Sequence, residues 1–184
     1  MIPPASGILL IAEPFLKDPS FKRSVVLLCR HEKEEGSFGF VLNNLFPQKL
    51  DELLPLLAGF DWPVFKGGPV QPDTLHYVHQ YPHLLPDCIK LSGDSYWGGD
   101  YATLKNLILK GSIDPKKIKF FLGYSGWSEG QLLGEMEENS WLTVEATSTI
   151  IFDTPEDNIW KASLIHLGGK YERMIHFPTD PQLN

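Results

Sequence analysis

The stretch that most constrains the fold is residues 118–142, IKFFLGYSGWSEGQLLGEMEENSWL. Ile118–Leu122 is a short apolar run of the kind a buried strand uses. Gly123-Tyr124-Ser125-Gly126 places two glycines within four residues, which predicts a tight turn. Ser128-Glu129-Gly130-Gln131 fits a capping box, with the Ser oxygen accepting from the Gln131 amide and the Gln side chain reaching back. Leu132, Leu133 and Met136 follow at helical spacing, and Trp141-Leu142-Thr143-Val144 opens a second strand. Strand, glycine turn, capped helix and strand thus occupy 25 residues, and such a turn offers backbone N–H groups at a sheet edge.

A chain of 184 residues is long enough for one domain with a sizeable core. The net charge of −7 contains no basic cluster larger than Lys22-Arg23 or Lys116-Lys117. It therefore lacks the electrostatic footprint of a nucleic-acid binder. The first residues, MIPPASGILLIAEP, carry no basic region ahead of the apolar run, so a strand is expected rather than a signal peptide. No apolar run reaches the length that spans a bilayer. Cys29 and Cys88 share no close spacing, and Cys29, inside Ser24–Cys29, reads as a buried thiol of a reducing cytoplasm.

Strands are expected over 7–12, 24–31, 38–42, 63–66 and 75–80, with 24–42 forming a hairpin. Asn43-Asn44 closes the third strand, either as turn residues bonding their own backbone or as amides offered to a ligand. Pro55 limits any helix over 50–57, and Gly67-Gly68-Pro69 marks a place where the backbone twists or is closely approached. His76, His79 and His83 invite a metal, but residues three apart on a strand face opposite sides, so no metal is expected. Residues 92–101 read as a polar, aromatic loop in which Tyr96 and Trp97 either anchor packing or wall a pocket. Asp100 caps a helix to Lys110, and Thr154-Pro155 starts another that stops at Gly168-Gly169. One domain over 1–177 and an irregular tail over 178–184 complete the expectation.

Seven separated phrases together resemble the bacterial YqgE/AlgH family: Gly7–Pro14, Phe21–Leu28, Gly39–Asn43, Gly67–Val70, Gly123–Trp127, Gly130–Leu132 and Ser140–Leu142. They run in order over almost the whole chain. The resemblance implies a cytoplasmic protein of α+β class, with a mixed, mostly antiparallel, barrel-like bifurcated sheet surrounded by helices. It brings a transcriptional-regulator label but no established reaction, cofactor or catalytic residue. Leu45-Phe46 departs from the family pattern, where Arg-Pro or similar follows the Asn pair. The label fits an acidic chain without a helix-turn-helix pattern poorly.

Two function classes follow. A serine-type hydrolase would use Ser125 on the strand-to-helix turn, with Asp153 and His166 or His176 following in chain order. Trp127 stands where the elbow pattern needs glycine, which weighs against it. The favoured class is a non-catalytic ligand-binding or protein-interaction module without cofactor or metal. Its cleft would lie where three strand ends meet, lined by Asn43, Asn44, Gly67, Gly68, Tyr124, Ser125, Gly126 and Trp127. It would suit a small polar or anionic ligand, or a partner's peptide.

Overall fold

The structure is a computed structural model that describes residues 1–16, 18–32 and 34–178. Nine strands form one curled sheet: β1 (Ile8–Ala12), β2 (Val25–Glu32), β3 (Gly36–Val41), β4 (Val64–Lys66), β5 (Val70–His79), β6 (Cys88–Ser92), β7 (Ser95–Gly98), β8 (Ile118–Trp127) and β9 (Trp141–Glu145). Their order is β6-β7-β5-β8-β3-β2-β1-β9, and every pair along it is antiparallel. The short β4 pairs parallel to β8 off that path. Four α-helices cover the sheet: α1 (Leu50–Leu53), α2 (Tyr101–Leu109), α3 (Gln131–Glu137) and α4 (Glu156–Leu167). The class is α+β, and the sheet curls until Ser92 Oγ on β6 donates to the Ala146 carbonyl just past β9, at 3.2 Å.

Strand alternation assigns each residue to a layer. On β1, Leu9 and Ile11 join the core inside the curl, where α4 contributes Ile159, Trp160 and Leu164. Ile8, Leu10 and Ala12 face the opposite way, against Trp127, Trp141 and Leu132 of α3. A third cluster gathers Val64, Tyr77, Ile118 and Phe120 against Leu104 and Ile108 of α2. The all-apolar runs of β1 and β2 thus reflect burial on both faces, each such side chain contributing about 1.5–3 kcal/mol.

The central strand departs from expectation. Residues 123–126 form no turn; β8 runs unbroken from Ile118 to Trp127. Gly123 sits at φ +65°, and opposite it the register with β5 slips between Val70 and Leu75. The left-handed residue reverses the alternation. Phe120 and Leu122 face the α2 side, yet Tyr124 emerges with Phe121 inside the curl. The sheet also forks here, because one edge of β8 pairs with β4 over Phe120–Leu122 and then with β3 over Ser125–Trp127. Two glycines signalled an irregularity correctly, but a bulge within a strand satisfies it as well as a turn does.

Other local expectations are also corrected. Residues 92–101 are not a loop, since β6 and β7 form a hairpin. Gln131 does reach back to the Ser128 N–H at 3.1 Å, but the Ser128 hydroxyl donates to the same Gln oxygen instead of capping α3. Thr154 donates to the Thr149 carbonyl rather than capping α4. Asp100 does cap α2, accepting from the Thr103 N–H at 2.7 Å. The tail expected over 178–184 lies outside the described residues except for Pro178.

Gly67 and Gly68 lie directly against β8. A Cβ on Gly68 would fall 2.1 Å from the Tyr124 carbonyl carbon, and one on Gly67 would fall 2.3 Å from the Gly123 oxygen. Gly68→Ala is therefore expected to cost about 2–3 kcal/mol, as overpacking does, measured by urea denaturation. Gly134→Ala is the control: its Cβ meets nothing within 4 Å on α3, and it should stabilise by roughly 0.5–1 kcal/mol.

Candidate functional site

The alternation switch at Gly123 delivers Tyr124 to the open end of the curl, where other aromatic side chains converge. Its ring lies 5.8 Å from Phe38 and 6.1 Å from His76, both edge-on, and Phe38 meets Trp97 at 4.8 Å. These geometries are the favoured edge-to-face kind. Together with Arg30, Glu35, Val70 and Trp127 they line an open cavity of about 480 Å³. A second cavity of about 460 Å³ adjoins it, sharing His76 and Trp97 and bounded beyond them by Leu54, Tyr77 and Tyr101. The first, with its converging rings, forms an aromatic trough. Both volumes lie within the range of small-molecule sites.

A second bulge places the charge. Pairing between β2 and β3 slips between Leu28 and Arg30, so Arg30 sits opposite Phe38 and on its face. Its guanidinium lies 5.6 Å from the Phe38 ring centroid. Its ion pairs with Glu32 and Glu35, at 3.6 and 3.9 Å, are solvent-exposed and worth little, so the cation can turn to a bound anion. Ser37 Oγ, on the lining of the trough, lies 2.7 Å from His31 Nδ1, and His76 Nε2 is buried with no hydrogen-bond partner among the described residues.

The eight residues expected to line one cleft are divided. Tyr124, Gly126 and Trp127 line the trough. Asn44 and Gly68 instead line a separate recess of about 210 Å³, with Lys66 and Pro69. Asn43 is occupied by the backbone, but not its own. Its Oδ1 accepts from the Val25 N–H and its Nδ2 donates to the Arg23 carbonyl, both at 2.9 Å. Arg23 has φ +52°, so the Asn43 amide pins a left-handed corner leading into β2. Gly67 is buried, and its carbonyl accepts from the Val41 N–H at 2.9 Å and from Ser125 Oγ at 3.0 Å. Ser125 is 0% exposed. Among the described residues, neither Asp153, His166 nor His176 hydrogen-bonds to it.

Sequence reasoning offered Trp97 as a pocket wall without its partners, and it missed Arg30, Phe38 and His76 beside Tyr124. Their signal was weak, because two bulges interrupt the alternation that would have aligned them. Trp127 serves a second purpose. Its Nε1 and that of Trp141 both donate to Glu135 Oε2, at 2.9 and 2.7 Å, clamping α3 to the sheet. Glu135→Ala leaves two indole donors unpaired and should cost about 1–3 kcal/mol in thermal or urea unfolding.

No group of three or more His, Cys, Asp or Glu gathers into a metal-holding set among the described residues. His79 instead uses both nitrogens. Nδ1 accepts from the Tyr81 N–H at 3.0 Å, so Nε2 carries the proton and donates to the Gly98 carbonyl at 2.9 Å. Burial lowers the His79 pKa from 6.5, only partly opposed by the Gly98 bond, and burial lowers that of His76 likewise. Folded pKa values below the unfolded one mean that the unfolded chain binds more protons in the window beneath 6.5, so stability there rises with pH. Urea midpoints should hold steady above that value and fall as acid crosses the window, with a shallower fall in His79→Gln.

The comparisons with known proteins agree with this architecture. The AlgH-like family profile matches residues 9–172. A UPF0301 protein of Cytophaga hutchinsonii is 40% identical over 97% of this chain and 98% of its own. One from Parabacteroides distasonis is 43% identical, over 98% of this chain and 92% of its own. The solution structure of the AlgH protein from Pseudomonas aeruginosa superposes with a TM-score of 0.73 at 29% identity, covering 97% of each chain. With the forked sheet, the matched residues and these relatives in agreement, the chain belongs to the AlgH-like, UPF0301 family.

Proposed function

We propose that this protein is a non-catalytic binding module of the bacterial cytoplasm, whose trough takes a ligand with a planar ring and an anionic group. The observation that carries this reading is the convergence of Phe38, His76, Trp97 and Tyr124 on one open cavity beside the Arg30 guanidinium. Aromatic edges and faces favour a flat ring, and each such contact is worth about 0.5–1.5 kcal/mol beyond area burial. Arg30 supplies a planar donor for carboxylate or phosphate. Glu35 beside it disfavours a bare anion without the ring, because repulsion then has no apolar contact to offset it. Tyr124, Gly126 and Trp127 belong to this site, whereas Asn44 and Gly68 line a different recess.

Ser125 takes no part as a nucleophile in this reading, because its hydroxyl is buried and bonded to Gly67. No helix among the described residues is long and apolar enough to cross a membrane.

The test is a titration followed by tryptophan fluorescence, with nucleotides and aromatic amino acids as probes. Saturable quenching by at least one probe is expected. Tyr124→Ala and Arg30→Ala should each weaken it by about tenfold, or roughly 1.4 kcal/mol, while Ser125→Ala leaves it unchanged. Absence of saturation with every probe, or equal loss in Ser125→Ala, would overturn the reading.

A further inference from the structure

Lys119 lies on β8, away from the trough, and is 8% exposed. Its Nζ donates to the Ile151 carbonyl at 3.2 Å and stands 4.2 Å from the Phe65 ring centroid. Among the described residues no carboxylate comes within ion-pair distance of it. A buried ammonium without a paired anion is costly, so burial raises the share of neutral amine above that of an exposed lysine. The pKa falls accordingly to about 8, through burial and against the opposing charge of Glu156.

This amine lines a recess of about 210 Å³ with Pro63, Phe65, Asp153, Pro155 and Glu156. Ile151 belongs to a single π-helical turn, Thr149–Asp153, an irregularity that frequently marks functional sites. None of the residues lining this recess also lines the trough.

We infer that the recess around Lys119 is a covalent capture site for a small, uncharged aldehyde. The Nζ lone pair adds to the carbonyl carbon, and the carbonyl π pair goes to oxygen, which takes a proton. The resulting carbinolamine then loses its hydroxyl with a proton as water, leaving the C=N bond of an imine. The two protons of the amine and the carbonyl oxygen thus depart together as water. Asp153 and Glu156 on the walls can carry protons to and from the reacting oxygen, and they repel anionic carbonyl compounds. The recess volume and its apolar walls Phe65, Pro63 and Pro155 select a small apolar body.

The test uses the intact chain with limiting propionaldehyde and cyanoborohydride at neutral pH, mapping alkylated lysines by peptide mass spectrometry over time. At a pH of about 7.5 a group titrating near 8 is roughly a quarter neutral, against roughly one part in a thousand for a lysine at 10.5. Allowing for restricted access, Lys119 is expected to react about tenfold faster than Lys116 and Lys117. The preference should vanish in denaturing urea, and glyoxylate should be trapped more slowly than propionaldehyde. Lys119 reacting no faster than Lys116, a preference that persists in urea, or faster trapping of glyoxylate would each overturn the inference.

Discussion

The structure depends on one close crossing, where Gly67-Gly68 lies flat against β8 at Gly123 and Tyr124. The Gly67 N–H donates to the Leu122 carbonyl at 2.8 Å, and a Cβ on Gly123 would meet the Gly68 oxygen at 2.7 Å. Backbone packs on backbone with no room for a side chain on either partner. Only glycine combines that contact with the positive φ of residue 123. From this crossing follow the fork of the sheet and the change of face along β8.

The change of face links fold to site. Without it, Tyr124 would continue the row of Phe120 and Leu122 towards α2, and the open end of the curl would lose its central ring. With it, Ser125 turns inward to the Gly67 carbonyl and Trp127 reaches the layer beneath α3, where Glu135 holds it. One left-handed residue therefore decides which side chains are scaffold and which face solvent. The bulge at Cys29 acts in the same way on β2 and brings Arg30 over Phe38. The candidate site of this sheet thus lies at its irregularities, where bulges re-aim side chains.

Much of the fold was legible in the residues. The apolar runs of β1 and β2, the 24–42 hairpin, the Pro55 break and the Asp100 cap all express local rules that tertiary packing does not override. The resemblance, rather than periodicity, supplied the forked barrel-like sheet. Gly123–Gly126 was misread because two nearby glycines predict a turn, and only the partner strands reveal that a bulge suffices. Ser95–Gly98 looked like a loop because the glycines and polar residues of 92–101 conceal a short strand. The site was less legible. Tyr124 and Trp127 stood out by motif, but Phe38, His76 and Trp97 come from three separate strands whose faces depend on bulges invisible to pattern counting. Asn43 showed its importance in sequence without showing its target, a corner twenty residues earlier in the chain.

The central claim is that Gly123 turns Tyr124 into the aromatic trough. The direct measurement is a nuclear Overhauser spectrum of the protein with the Tyr124 ring protons assigned. The account predicts cross-peaks from that ring to Phe38 and His76, whose centroids lie at 5.8 and 6.1 Å. Cross-peaks instead to Tyr77 and Leu122, on the α2 side of the sheet, would contradict it.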